Sequence, residues 1–112
     1  MALRLAKDVA REFATQLILG VRDQAPKIDG AIRSTLENFA FHRLTPVDRN
    51  ILRVGTFEVL FADYIPAQAA INEAVEIAKR FGGEDSPKFI NGILDRIYHE
   101  TKAAPPEDTS AE

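Results

Sequence analysis

Residues 67–94, AQAAINEAVEIAKRFGGEDSPKFINGIL, decide the fold. Ala67, Ala70, Ile71, Ala74, Val75, Ala78 and Phe81 recur at three- and four-residue spacing, which makes one apolar stripe on a helix. Gly82-Gly83 is expected to stop that helix, because glycine adopts the left-handed backbone that a helix end favours. Ser86-Pro87 restarts one, with serine as N-cap and proline at the first helical position. Ile90, Ile93, Leu94 and Ile97 supply the next stripe, on a helix expected over residues 87–100. The polar residues of the segment (Asn72, Glu73, Lys79, Arg80, Asp85, Lys88, Asn91) are more specific than packing requires.

Working upstream, the same logic gives three more helices. Residues 66–81 follow Tyr64-Ile65-Pro66, which closes a helix opening at Thr45. There Thr-Pro-Val-Asp approaches a capping box: Thr45 caps, Pro46 pre-sets the first turn and Asp48 sits at the positive end of the dipole. Ile51, Leu52, Val54, Val59, Leu60 and Phe61 are its apolar surface. Gly55 in mid-helix costs about 1 kcal/mol against alanine, which implies close approach by another backbone. A helix over residues 26–39 turns Ile28, Ile32, Leu36 and Phe39 inward. The first helix, about residues 2–19 and ended by Gly20, has apolar residues over roughly half its circumference, wider than the ~100° stripe of a surface helix. Short links make sequential helices neighbours, so the expected fold class is all-α, a compact bundle of about five helices.

The chain has 112 residues, enough for one domain with one modest core. The expected domain is 1–101, followed by a disordered acidic tail over residues 102–112, where AAPPEDTSAE follows Lys102. With no cysteine, disulfides, thiolate metal sites and cysteine nucleophiles are excluded. No apolar run nears the ~20 residues of a membrane span. Charges interrupt MALRLAKDVAREF throughout, unlike a signal peptide, so a cytoplasmic protein is expected. A net charge of −3 argues against nucleic-acid binding by global electrostatics, though not against a local basic patch.

Catalysis has little support. Glu73 with Glu76, and Glu84 with Asp85, are the carboxylate pairs, and at helical spacing such pairs form a solvated face. His42 and His99 fit no helical metal pattern, so no metal or other cofactor is expected. A nucleotide loop or serine-nucleophile motif is also missing. Binding has more. Lys79, Arg80 and Lys88 flank one turn beside Phe81 and Phe89, a combination suited to single-stranded RNA through phosphate contacts and base stacking. The alternative is that both phenylalanines are core and the cations merely solvated.

The blocks at residues 48–55, 71–81 and 84–95, within LTPVDRNILRVGTFEVLF and YIPAQAAINEAVEIAKRFGGEDSPKFINGILDRI, closely resemble the bacterial antitermination family NusB. Residues 14–39 continue the pattern more weakly. The resemblance implies an all-helical, non-catalytic protein that pairs with the ribosomal protein NusE and binds boxA-type RNA of ribosomal RNA operons within the elongation complex. By matched position it implies Asp48, Arg53 and Glu58 at the protein partner, and Arg80, Phe81, Asp85, Lys88 and Phe89 at the RNA.

One departure from the family pattern matters. NusB proteins begin with two further helices, the first arginine-rich, whereas this chain starts near the family's third. Arg4, Lys7 and Arg11 are few and interleaved with Asp8 and Glu12, so RNA binding is expected to be weak for the chain alone. The wide apolar face of the first helix is expected to be covered by a second copy through Leu5, Val9, Phe13 and Leu17, or to fold back on its own domain. Alternative readings of function are a homodimeric scaffold or NusE competitor, and an accessory domain like that of an RNA cytosine methyltransferase.

Overall fold

In the computed structural model, residues 2–36 and 41–103 are described. They form five α-helices: α1 (Ala2–Asp23), α2 (Ala25–Thr35), α3 (Pro46–Leu60), α4 (Ala67–Phe81) and α5 (Ser86–Ala103), with a 3-10 turn at Phe41–Arg43. The expected inward Phe39 and most of the acidic tail lie outside the described residues. Lys102 and Ala103 complete the last turn of α5.

Helices α3, α4 and α5 pack mutually, α2 lies across α3 and α5, and α1 joins through α2 and α3. The shape is flat, 50 × 43 × 22 Å. Ile28 and Ile32 of α2, Leu52 of α3, Ile71 of α4, and Ile90 and Leu94 of α5 are all fully buried in one cluster. Each comes from a stripe spaced three or four residues apart, so the helical period alone brings them to one side.

The helix ends differ in detail from the sequence expectation. Thr45 caps α3 as expected, its hydroxyl accepting from the Asp48 N–H at 3.1 Å. Gly20 does not end α1, which continues to Asp23. A Cβ there would fall 2.5 Å from Phe57 Cζ, so this glycine lets α1 approach the α3 ring. Gly55 likewise admits a neighbour, but it is a side chain: Leu94 Cδ1 would lie 2.7 Å from a Cβ. No glycine among the described residues has a positive φ. Gly82 ends α4 in extended backbone (φ −92°, ψ −178°), and its N–H returns to the Ala78 carbonyl at 2.9 Å.

Two residues break the expected inside–outside pattern. Phe81, assigned by spacing to the α4 stripe, is 67% exposed. Thr56 of α3 is fully buried, and its hydroxyl has no partner. Replacing it by isosteric valine removes an unsatisfied polar group. Thr56→Val is therefore expected to raise unfolding stability by about 1 kcal/mol in urea melts. A loss of stability would show that the hydroxyl is bonded in solution.

Candidate nucleic-acid interface

The α4–α5 turn is tied to the start of α3 by a short polar chain. Ser86 Oγ accepts from the Gly83 N–H at 2.9 Å and donates to the Asp48 carboxylate, 2.9 and 3.1 Å from its two oxygens. Ser86 therefore bonds across helices instead of capping its own, although the helix does begin at this residue. The first intrahelical bond of α5 runs from the Phe89 N–H to the Asp85 carbonyl at 3.1 Å. Ser86 is buried, and a Cβ on Gly82 would lie 2.6 Å from its Oγ and 2.9 Å from the Ala78 carbonyl oxygen. Gly82 is thus needed for close approach, not for a left-handed turn.

This network floors an open cleft of about 590 Å³, lined by Arg43, Leu44 and Thr45 before α3, Asp48, the turn 83–86, and Phe89. That volume suits one small ligand or an unstacked base. Phe89 offers a partly buried ring packed on the core, and Lys88 beside it is exposed. The charge of the lining is mixed: Asp48, Glu84 and Asp85 against Arg43. Carboxylates cannot hold phosphate, but they accept hydrogen bonds from the amino groups of bases. The arrangement can read base edges inside while cations on the rim take phosphates.

The structure divides the expected corner. Asp85 and Phe89 face the cleft, together with Asp48, which the resemblance placed at a protein partner. Arg80 and Phe81 instead line a separate surface groove on α4 with Asn72, Glu73, Glu76 and Ile77. Residues 80 and 81 end one helix while 85–89 begin another, and the intervening turn points the two sets apart. Sequence reasoning missed Arg43 and Ser86. The capping pattern identified Ser86 only as a local signal, and nothing in the spacing placed Arg43 opposite it.

Arg53 and Glu58, also expected at a partner, are occupied internally. Arg53 Nε and Nη2 donate to the two Asp29 oxygens at 3.0 and 3.1 Å, a half-buried bidentate pair joining α3 to α2. Its guanidinium lies 5.3 Å from the Phe41 ring centroid, and that of Arg33 lies 4.6 Å from the same ring. Glu58 is buried and accepts from the Tyr64 hydroxyl at 2.7 Å. Partial burial, that hydrogen bond, and the charges of Glu58 and Glu73 push the Tyr64 phenol above its ordinary range. The tyrosine is thereby held as a donor locking the α3–α4 turn.

Of the expected dimer residues, Leu5, Val9 and Phe13 are 65%, 61% and 48% exposed, and Leu17 is half-buried. Along α1 the described residues up to Gln16 are exposed, while Phe13 meets the Tyr64 ring edge-on and Gly20 packs against Phe57. Among the described residues no group of three or more potential metal ligands occurs, and no helix is long and apolar enough to cross a membrane.

The fold and site define an all-helical domain with an open cleft of mixed apolar and charged lining between helix ends. The chain belongs to the NusB family, whose model matches residues 3–99. It is 52% identical over 91 residues to the transcription antitermination protein NusB of Thermotoga petrophila, covering 81% of this chain and 64% of that protein. The corresponding Heliobacterium modesticaldum protein is 45% identical over 105 residues, covering 94% of this chain and 51% of the relative. The chain thus spans between about half and two thirds of these relatives' lengths. Thermotoga maritima NusB superposes with a TM-score of 0.77 at 45% identity, over 92% of this chain and 70% of the other. A chain from a crystal structure described as a plectonemic RNA supercoil superposes with a TM-score of 0.78 at 29% identity, over 84% and 68%. The relatives carry the name of antitermination proteins, not of enzymes.

Proposed function

We propose that the chain is a non-catalytic, cytoplasmic antitermination factor that presents the α3–α5 cleft to single-stranded, boxA-type RNA, jointly with the ribosomal protein NusE. The observation that carries this reading is the Asp48–Ser86–Gly83 network, which holds the turn so that Phe89 and Arg43 border one cleft, with exposed Lys88 next to Phe89 in the chain. A rigid frame spares the ordering cost of binding. RNA binding by the chain alone is weak, because three carboxylates oppose one arginine in the lining.

Fluorescence titration of boxA RNA, with and without NusE at two salt concentrations, tests this. Lys88→Glu is expected to weaken binding in the complex about tenfold. It also lowers the magnitude of the salt slope by about 0.7, the share of one phosphate contact to a single strand. Glu84→Gln, which removes a charge from the lip, is expected to tighten binding severalfold. No response to either variant would place the RNA elsewhere. Tight binding without NusE would contradict the joint mode.

A second reading, a protein-interaction module, is favoured by an apolar groove between α3 and α4 in which Val54 and Ile77 face each other beside Glu73. Ile77 is 44% exposed and also borders the Phe81 groove. This continuous surface suits the protein partner better than the internally paired Arg53 and Glu58 do.

A further inference from the structure

Helices α3 and α4 leave a trough between them, a space of about 230 Å³ lined by Ile51, Val54 and Ala74 among others. Ile77 borders this space and also a second one of about 500 Å³, with Arg80 and Phe81, so the two run together along α4. Ile77 and Phe81 are both exposed and four residues apart, so they form one apolar rim. The smaller space has room for one large apolar side chain, and the larger lies open beside it.

Charge is divided along the trough. Glu58 and Glu73 stand at the end near Tyr64, whose phenol feels both. Arg80 stands about 10 Å beyond Glu73 along α4. Glu58 already accepts from Tyr64, Asn72 from Gln68, and Glu76 from Lys79. Glu73 and Arg80, both exposed, are therefore the charged groups of the lining that face an occupant, negative at one end and positive at the other.

This pattern narrows the occupant. Three carboxylates against one guanidinium repel a phosphate backbone. An extended peptide would need a sheet edge, and the described residues form no strand. A helix satisfies its own backbone and needs only an apolar groove and matched charges. Its positive N-terminal end fits beside Glu58 and Glu73, and its negative C-terminal end beside Arg80.

We propose that the α3–α4 trough receives an amphipathic helix of another protein, basic in its first turn and acidic in its last, lying parallel to α4. Its first-turn cation meets Glu73, one apolar side chain fills the space over Val54, and the following ones lie on Ile77 and Phe81. Helix and trough together remove on the order of 1,000 Å² from water, which belongs to the weak, transient class below ~1,200 Å². None of these residues lines the α3–α5 cleft, so the RNA reading is untouched.

Two fluorescein-labelled peptides of about four turns, titrated with the whole chain, test this. Each carries leucines along one face and a hydrocarbon staple on the other, which makes their helicity equal. One has arginines in its first turn and glutamates in its last, and the other reverses these charges. By fluorescence anisotropy the arginine-first probe is expected to bind with a dissociation constant of about 10–100 μM, about fivefold or more below that of the reversed probe. Phe81→Ser, at an exposed position, is expected to keep the circular dichroism of the parent and weaken the arginine-first probe about tenfold. Glu73→Lys is expected to invert the preference between the probes. Absence of binding, equal affinity for the two probes, indifference to either variant, or displacement by single-stranded RNA would overturn the proposal. It rests on the protein-interaction reading given above, and a NusE titration separates the two. Probe failure with NusE binding intact strikes the helix occupant alone, and failure of both strikes that reading as well.

Discussion

Leu94→Ala is expected to lower unfolding stability by about 3 kcal/mol and the Tm by more than ~10 °C, because it empties a fully buried site where α3 meets α5. For a domain of this size that is a large part of the ~5–15 kcal/mol available. A more discriminating result comes from Gly55, whose missing Cβ makes room for the same leucine. Gly55→Ala alone places a methyl 2.7 Å from Leu94 Cδ1 and is expected to destabilise, despite the better helix propensity of alanine. With Leu94 already truncated, the same Gly55→Ala change is expected to stabilise by about 1 kcal/mol, since propensity and cavity filling now act together. Urea melts of the four proteins give the coupling directly. Additive effects would mean that α3 and α5 do not meet at these residues.

The second large effect concerns the cleft. Asp48→Ala removes the carboxylate that accepts from Ser86 and the only acid in the first turn of α3. A hydrogen bond to a charged group and a favourable dipole contact together contribute about 2 kcal/mol. Ser86→Ala leaves both Asp48 and the Gly83 N–H without that hydroxyl, at a similar cost of about 1–3 kcal/mol. The double variant is expected to lose little more than the worse single one, since both changes break one network. Amide exchange at Gly83 should accelerate in either single variant. Unchanged exchange would show that the turn does not depend on the network. On the proposed function, RNA affinity falls in both variants although neither removes a phosphate contact, because the turn presenting Lys88 and Phe89 loses its anchor.

The contrast between Phe81 and Ser86 shows what could be read early. Both were assigned by local rules: Phe81 to an apolar stripe, Ser86 to a helix start. The helix does begin at Ser86, but its hydroxyl is spent on a residue 38 positions away. Phe81 has the spacing of a core residue, yet it is the last residue of α4 and is 67% exposed. Arg53 and Glu58 were matched to a partner surface, and local pattern could not reveal that Asp29 and Tyr64 complement them.

By itself the sequence determined the five helices, the Thr45 cap and the main apolar stripes. These depend on interactions within about four residues, which a 3.6-residue period makes legible. It also carried the family, through the blocks at 48–55, 71–81 and 84–95. Only the tertiary structure decided which charges face solvent, why Gly20, Gly55 and Gly82 are glycines, and that Asp48 belongs with Asp85 and Phe89. It also decided that Leu5, Val9 and Phe13 of α1 are exposed. Those outcomes depend on contacts between segments distant in the chain, whose burial and pairing are set by helix packing and leave no periodic trace in the sequence.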